Sequence, residues 1–336
     1  MSLSIYLAIM VSFLATLIIT PKLIIFLQRI GMVGTDIQKK SKPKIAEMGG
    51  PAILVGFLAG IFIYMWIKVF LYGGIESIEA IFAAISTILI VTFIGIFDDL
   101  SVLMKKVNKG FKRIGLRQWQ KPLLTLPAAV PLMAIMVGSS TMSVPFVGIV
   151  DFGILYPLLL VPVAIVGASN AVNMLAGMNG LESSLGLIYM TSLGIYSYHV
   201  GSIAAAAIAF SVAASLLAFL WFNKYPAKIM PGDSVVYMIG ASAATVAIIG
   251  NIEKFAVLAF TPWIIEFFLK LRSKFKAECF GKLQPDGTLK PISKKIYSLT
   301  HVVMRMGRFK EWQIVLILSL VEVAICSALL LFYMGL

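Results

Sequence analysis

Long apolar stretches recur along this chain, broken by short polar connections. Ten of them, at 3–27, 51–72, 80–97, 122–138, 154–172, 185–200, 202–222, 235–250, 255–269 and 313–334, read as membrane-crossing helices, because spanning a bilayer core takes about 20 apolar residues. The ten-residue alternation of a membrane β-barrel is missing. Backbone in lipid must satisfy its own polar groups, and helices do so within one segment. The pattern therefore predicts an all-α polytopic membrane protein of about ten transmembrane helices. It forms a single integral membrane domain over 1–336, whose longest connection is the basic loop 270–312. The opening "MSLSIYLAIM" has no basic n-region and reads as a retained span.

The polar connections alternate in charge. Those at 28–50, 98–121, 223–234 and 270–312 hold five, seven, two and eleven Lys plus Arg, whereas the connections between them hold only Lys254. By the positive-inside rule the basic loops are cytoplasmic and both termini lie on the extracytoplasmic side. Asp36, Glu47, Asp98, Asp99, Glu182, Asp233, Glu278, Asp286 and Glu311 fall on the basic side as well, several at the edge of a span. Glu322 is different, an acid inside the last apolar run.

Composition sharpens this picture. Hydrophobic residues make up 60% of the chain and charged residues 13%, about half the charge of a soluble domain, and mean hydropathy is +0.97. A net charge of +13 could suggest nucleic acid, but no soluble basic domain exists to bind it, and loop topology explains the charge. Cys279 and Cys326 are too few for a disulfide framework and lack metal-ligand spacing.

Candidate chemistry gathers at the basic edge. "FDDL" places Asp98 and Asp99 at the mouth of an uncharged span. Adjacent carboxylates there read either as a solvated helix end pairing with Lys105 and Lys106, or as hard-oxygen ligands of the kind Mg²⁺ favours. The first reading has a cost, since acids at a helix C-terminus oppose the macrodipole. "NAVNMLAGMNGLE" runs from Asn170 to Glu182; Asn170 and Asn173 share a helix face, and Gly177 and Gly180 break the helix beside Asn179 and Glu182. Amides both donate and accept, as metal coordination or base reading requires. "PGDSVVY" sets Asp233 before the eighth span, where an N-cap is the ordinary reading. "GFKRIGLRQWQKP" brings Lys112, Arg113, Arg117 and Lys121 to the start of the fourth span. Lys121 stands where a lipid headgroup would lie, and the others read as interface anchors. In "GTDIQKKSKPKIAE", Lys39, Lys40, Lys42 and Lys44 read as solvated charge, while Asp36 and Glu47 could contact a polar ligand. "LTHVVMRMGRFKEW", if helical, puts His301, Arg305 and Arg308 on one cationic face that could lie on the membrane or clamp a pyrophosphate.

These motifs together resemble the polyprenyl-phosphate N-acetylhexosamine-1-phosphate transferases. "FDDL", "QKPLLTLP", "NAVNMLAGMNGLE" and "PGDSVVY" occur in that family's order and spacing, and the resemblance runs from "GTD" to the His301 segment. It implies that the paired aspartates are Asp98 and Asp99, the metal ligands Asn173 and Asp233, the nucleobase-recognising residue Asn179 and the lipid-phosphate lysine Lys121. Asp36, Glu47, Glu182, His301, Arg305 and Arg308 are then expected around the nucleotide sugar. The chain carries one histidine where bacterial members cluster several, and its "CFGKLQPDGTLKP" is more similar to the dolichol-type branch.

The reaction so implied moves N-acetylglucosamine-1-phosphate from UDP-N-acetylglucosamine to a polyprenyl (dolichyl) phosphate and releases UMP, with Mg²⁺, or Mn²⁺ in its place, as cofactor. Such an enzyme works with its catalytic face in the cytoplasm of an integral membrane protein, and a homodimer is compatible with it. A phosphate monoester is largely ionised at neutral pH, so Asp98 and Asp99 are expected to organise metal or basic partners more than to remove a proton. Two rivals stand beside this reading: a phospho-N-acetylmuramoyl-pentapeptide transferase acting on undecaprenyl phosphate, and a cation or nucleotide-sugar transporter. A transporter should hold its ionisable groups near the midplane, whereas here they crowd one edge.

Overall fold

The computed structural model describes residues 2–75, 77–107, 119–144 and 148–335. Lys112, Arg113 and Arg117 lie outside the described residues, as do the side chains of Lys105 and Lys106. Helices α1 (Leu3–Arg29), α2 (Gly50–Tyr72) and α3 (Ile78–Val107) are long and continuous. After them come α4 (Gln120–Thr125), a 3₁₀ turn at Leu126–Ala129, α5 (Val130–Ala134), a π-turn at Tyr156–Leu160 and α6 (Val161–Met174). Then follow α7 (Leu181–His199), α8 (Ile203–Asn223), α9 (Gly232–Gly250), α10 (Glu253–Ala259), α11 (Thr261–Leu271), α12 (Leu299–Met306) and α13 (Glu311–Met334).

Among the described residues, seven helices are long and apolar enough to cross a membrane: α1, α2, Ile78–Ser101 of α3, Tyr156–Met174, α8, α9 and α13. The chain is thus a multi-pass membrane protein. The other three predicted spans also fall on helices, with differences that have physical causes. The segment predicted at 122–138 is split into α4, the 3₁₀ turn and α5, because Pro122, Pro127 and Pro131 each remove a donor. Its fifteen helical residues, 120–134, reach only about 22 Å at 1.5 Å per residue, short of a 30 Å core. The segment at 255–269 is broken at Phe260, with Pro262 in the first turn of α11. The α7 helix has the length but carries Ser, Thr, Tyr and Gly along it.

Burial separates the centre from the rim. In α8 and α9, 78% and 83% of the span is buried, against 33% in α1 and 28% in α13. Aromatic and aliphatic side chains such as Phe26, Phe62, Phe93, Leu320 and Phe332 point outward, as a lipid-facing surface requires. Without a hydrophobic force between helices in lipid, small residues let backbones approach, and Gly56 and Gly60 on α2 do this. A Cβ at either would stand 1.8 Å from Thr16 Oγ1 or Ser12 Oγ of α1.

Three short strands tie distant loops together at the end of the bundle where α9 begins. β1 (Val33–Thr35) pairs antiparallel with β2 (Lys44–Glu47). Across a hairpin of β3 (Thr141–Val144) and β4 (Gly148–Asp151) elsewhere, the chain reaches β5 (Ile229–Met230), which pairs parallel with β2. Met48 N–H then donates to Met230 O and Gly49 N–H to Pro231 O, so the loop carrying Asp36 and Glu47 is stitched to the start of α9. Segment 270–312 is no loose loop. It folds into a hairpin of β6 (Gly281–Leu283) and β7 (Leu289–Pro291) followed by α12.

Candidate active site

The α3 and α9 helices set the centre of the site. Asp99 stands at the end of α3's apolar run and acts as the missing cap of α9. It accepts hydrogen bonds from Asp233 N–H at 2.6 Å, Ser234 N–H at 3.1 Å and Ser234 Oγ at 2.7 Å. Pro231 precedes α9 and supplies no capping side chain, so a carboxylate from another helix satisfies the orphaned N–H groups. Gly232 makes room for it. Its φ is +74°, and a Cβ there would sit 2.5 Å from Asp99 Oδ2.

Asp98 serves a different partner. Its Oδ2 lies 2.8 Å from Lys121 Nζ, and Asp233 Oδ2 lies 2.6 Å from the same ammonium. One lysine therefore bridges two carboxylates from two helices. Lys121 rides on α4, and α4 is tied to α6: Thr125 Oγ1 donates to Lys121 O at 3.1 Å and Asn170 Nδ2 donates to Thr125 Oγ1 at 3.4 Å. Burial is the largest single influence on Lys121 and would depress its pKa, but the charge of Asp233, the Tyr237 phenol and the hydrogen bonds to Asp233 and Asp98 together outweigh it and hold the ammonium above its ordinary range.

A second polar cluster stands beside the first. Asn179 donates from Nδ2 to Asp36 Oδ2 at 3.1 Å and to Glu311 Oε1 at 2.6 Å, and accepts from Ala227 N–H at 2.7 Å. Glu311 Oε1 also takes Asn179 N–H at 2.7 Å. Lys39 pairs with Asp36 and, at 3.3 Å, with Glu311. Its ammonium also lies 4.4 Å from the Tyr225 ring centroid. Glu182 takes Gly177 N–H at 2.6 Å and so fixes the turn between α6 and α7.

Both clusters border one cavity of about 1140 Å³, lined by Asp36, Glu47, Lys121, Asn173, Asn179, Glu182 and Asp233 among others. Seven of the predicted site residues, drawn from five separate segments, thus meet around a single space. Asp98 and Asp99 stand behind it, acting through Lys121 and α9. The predicted cationic face does not form. The α12 helix ends at Met306 before Gly307, so Arg308 is off the helix. His301 is buried with its Nε2 3.3 Å from Phe280 O, and burial holds its imidazole below the ordinary range. Arg305 is exposed and bonds to the carbonyls of Ser293 and Lys294. None of the three lines the cavity.

Some contributors escaped the sequence reading. Lys39 looked like solvated charge and is largely buried in an ion-pair network. Glu311 was one acid among several and joins Asn179 to Lys39. Glu266, fully buried in α11, accepts Leu299 N–H at 2.7 Å and Cys279 Sγ at 3.5 Å, anchoring the 270–312 segment against the cavity wall. An acid inside an apolar run was the available signal for it.

The donor set can be tested against a metal. Among the described residues no three His, Cys, Asp or Glu side chains form a ready-made cage. Mg²⁺ needs none, since it is held by one or two carboxylates with substrate phosphates completing the shell. Asp98 and Asp233 already converge on one cation, the Lys121 ammonium, and Asn173, an amide residue, lines the same cavity as Asp233. Hard oxygen donors that share a positive charge fit a divalent ion.

Residues 81–251 match the family model described as glycosyl transferase family 4. The chain belongs to that family. The matched region holds the whole Asp98–Lys121–Asp233 constellation together with Asn173, Asn179 and Glu182, while Asp36, Glu311 and the 270–312 segment lie beyond it. Family relatives extend over nearly all of the chain. A protein of Saccharolobus solfataricus, provisionally named UDP-N-acetylglucosamine--dolichyl-phosphate N-acetylglucosaminephosphotransferase, is 40% identical over 94% of this chain and 92% of its own length. A protein of Sulfolobus acidocaldarius with the same provisional name is 36% identical over 96% and 94%. The phospho-N-acetylmuramoyl-pentapeptide-transferase of Clostridium perfringens is 30% identical over 96% of each. As a family 4 member the chain is a transferase, and the transporter alternative falls.

Proposed function

We propose that this protein transfers N-acetylglucosamine-1-phosphate from UDP-N-acetylglucosamine to a polyprenyl phosphate of the dolichyl type, releasing UMP. The observation that carries the reading is the Lys121 ammonium, shared between Asp98 and Asp233 on the wall of the cavity. The greater identity to the dolichyl-phosphate relatives than to the pentapeptide transferases supports the choice of substrates. On this reading the site faces the cytoplasm, the side to which the basic loops belong.

In the proposed reaction an oxygen of the lipid phosphate attacks the β-phosphorus of the donor. The new P–O–P bond forms as the bond from the β-phosphorus to the α-phosphate oxygen breaks, and that oxygen leaves on UMP. Lys121 holds the attacking phosphate, with Asp98 fixing the ammonium. Asp99 keeps the first turn of α9 in place and so aims Asp233. Asn173 and Asp233 would hold Mg²⁺ or Mn²⁺, which neutralises charge on the pyrophosphate. The nucleophile is already ionised at neutral pH, so positioning and electrostatics supply most of the rate, as in phosphoryl transfer generally. Asp36, Asn179 and Glu182 shape the nucleotide end of the cavity.

Purified protein given Mg²⁺, sugar-labelled UDP-N-acetylglucosamine and dolichyl phosphate should produce lipid-extractable label and UMP in equal amounts. Absence of both across several lipid lengths would sink the reading. A higher turnover with UDP-muramoyl-pentapeptide and undecaprenyl phosphate would move the protein to the other branch.

A further inference from the structure

The phenol of Tyr237 is unusual for a residue so deeply packed. The side chain is fully buried, yet among the described residues its hydroxyl has no hydrogen-bond partner. Burying an unpaired hydroxyl is unfavourable, and a buried tyrosine normally finds a partner. The helix that carries it is locked on two sides. A Cβ at Gly95 of α3 would stand 2.5 Å from Ser234 Cα, and one at Gly240 of α9 would stand 2.4 Å from Ala168 O of α6. Tyr237 is therefore held one turn beyond Asp233, on the same helix face. Lys121 Nζ lies 5.7 Å from its ring centroid. The charged groups acting on the phenol are Asp233, Lys121 and Asp98, and the Lys121 ammonium interacts with its hydroxyl without reaching hydrogen-bond geometry.

A hydroxyl kept idle beside three charges is useful only if one of those charges changes partner. Lys121 is the group placed to do so, since it gives each carboxylate a hydrogen bond in the free enzyme and turns toward a phosphate when the acceptor arrives. We propose that Tyr237 is a positioning residue for Lys121. Its ring limits the swing of the ammonium, and its hydroxyl supplies the hydrogen bond that the cluster gives up when the ammonium engages the acceptor phosphate. The inference rests on the phosphotransferase reading and extends it to a residue of α9 that does not line the cavity.

Tyr237→Phe keeps the ring and removes only the hydroxyl. Dolichyl phosphate is varied at saturating UDP-N-acetylglucosamine, then the reverse, alongside thermal unfolding of the same preparations. We expect kcat/KM for the lipid phosphate to fall about tenfold, the size of one hydrogen bond to a charged group. The half-saturation for UDP-N-acetylglucosamine should stay within twofold. The unfolding temperature should hold or rise, because the hydroxyl makes no well-formed hydrogen bond in the free protein. A lipid kcat/KM within twofold of wild type overturns the proposal, as does an equal loss for both substrates with a lower unfolding temperature, which marks a packing role. Failure of the wild type to transfer at all would remove the phosphotransferase reading itself, an outcome distinct from an active wild type that Tyr237→Phe matches.

Discussion

Asp99→Ala separates the two adjacent aspartates most sharply. The substitution removes three hydrogen bonds, at 2.6, 2.7 and 3.1 Å, and orphans two N–H groups and a hydroxyl at the start of α9. Ser234 is fully buried, so water cannot easily replace the carboxylate there. Loss of a helix cap costs about 0.5–2 kcal/mol, and each buried donor left bare adds about 1–3 kcal/mol. The total is on the order of 4 kcal/mol, which for a chain of 336 residues lowers the unfolding temperature by about 6 °C. Asp99→Asn keeps one acceptor oxygen and should fall between wild type and Asp99→Ala. The assay is thermal unfolding of the detergent-purified variants beside turnover measured well below their transitions. Unfolding of Asp99→Ala within about 1 °C of wild type, with turnover abolished, would refute the capping role and return Asp99 to the chemistry. So would loss of the acidic limb of the pH–rate profile in Asp99→Asn.

Three further outcomes follow from the same geometry. Gly232→Ala should cost about 1–3 kcal/mol in backbone strain at φ +74°, and its methyl must displace the Asp99 carboxylate, so turnover and unfolding temperature should fall together in the same two assays. Glu311→Ala strips acceptors from Asn179 and Lys39 and should raise the KM for UDP-N-acetylglucosamine about tenfold, by one charged hydrogen bond; Glu311→Gln should recover part of it in steady-state kinetics. The Cys279 thiol is pushed up to about 11 by burial and the Glu266 carboxylate, leaving on the order of one thiolate per thousand at pH 8. In a Cys326→Ala background the folded protein should therefore resist iodoacetamide for hours, as mass spectrometry will register.

Much of the site was legible because its chemistry sits where a membrane sequence rarely puts polar groups. Asp98, Lys121, Asn173 and Asp233 stood at the edges of apolar runs, and such edges converge when helices alternate direction through one bundle. What each residue touches was less visible. Nothing in "FDDL" assigns Asp98 to Lys121 and Asp99 to the backbone of α9. That division depends on the rotation of α3 against α9, set by the close approach at Gly95. Lys39 and Lys44 occupy one polar run, yet Lys39 is largely buried in an ion-pair network while Lys44 is exposed, and only the β1–β2 hairpin distinguishes them. The cationic face expected from His301, Arg305 and Arg308 assumed that helical spacing continued past Gly307. There the backbone extends instead, and Phe309 O accepts Leu289 N–H of β7. Proline explains the split in the fourth predicted span, and the sequence held that signal at Pro127 and Pro131. Glu322 remains apart from the site, buried in α13 with Cys326 Sγ 3.3 Å from one carboxyl oxygen.

The central claim is that the bond broken lies between the two phosphates of the donor, and isotopic labelling tests it most directly. UDP-N-acetylglucosamine carrying ³²P at the β-phosphate is incubated with the purified protein, Mg²⁺ and dolichyl phosphate, and lipid and aqueous phases are counted separately. Attack at the β-phosphorus by a phosphate held on Lys121 carries the label into the lipid phase and leaves unlabelled UMP in the water. Label retained in water as UDP, with sugar alone appearing on the lipid, would contradict the account.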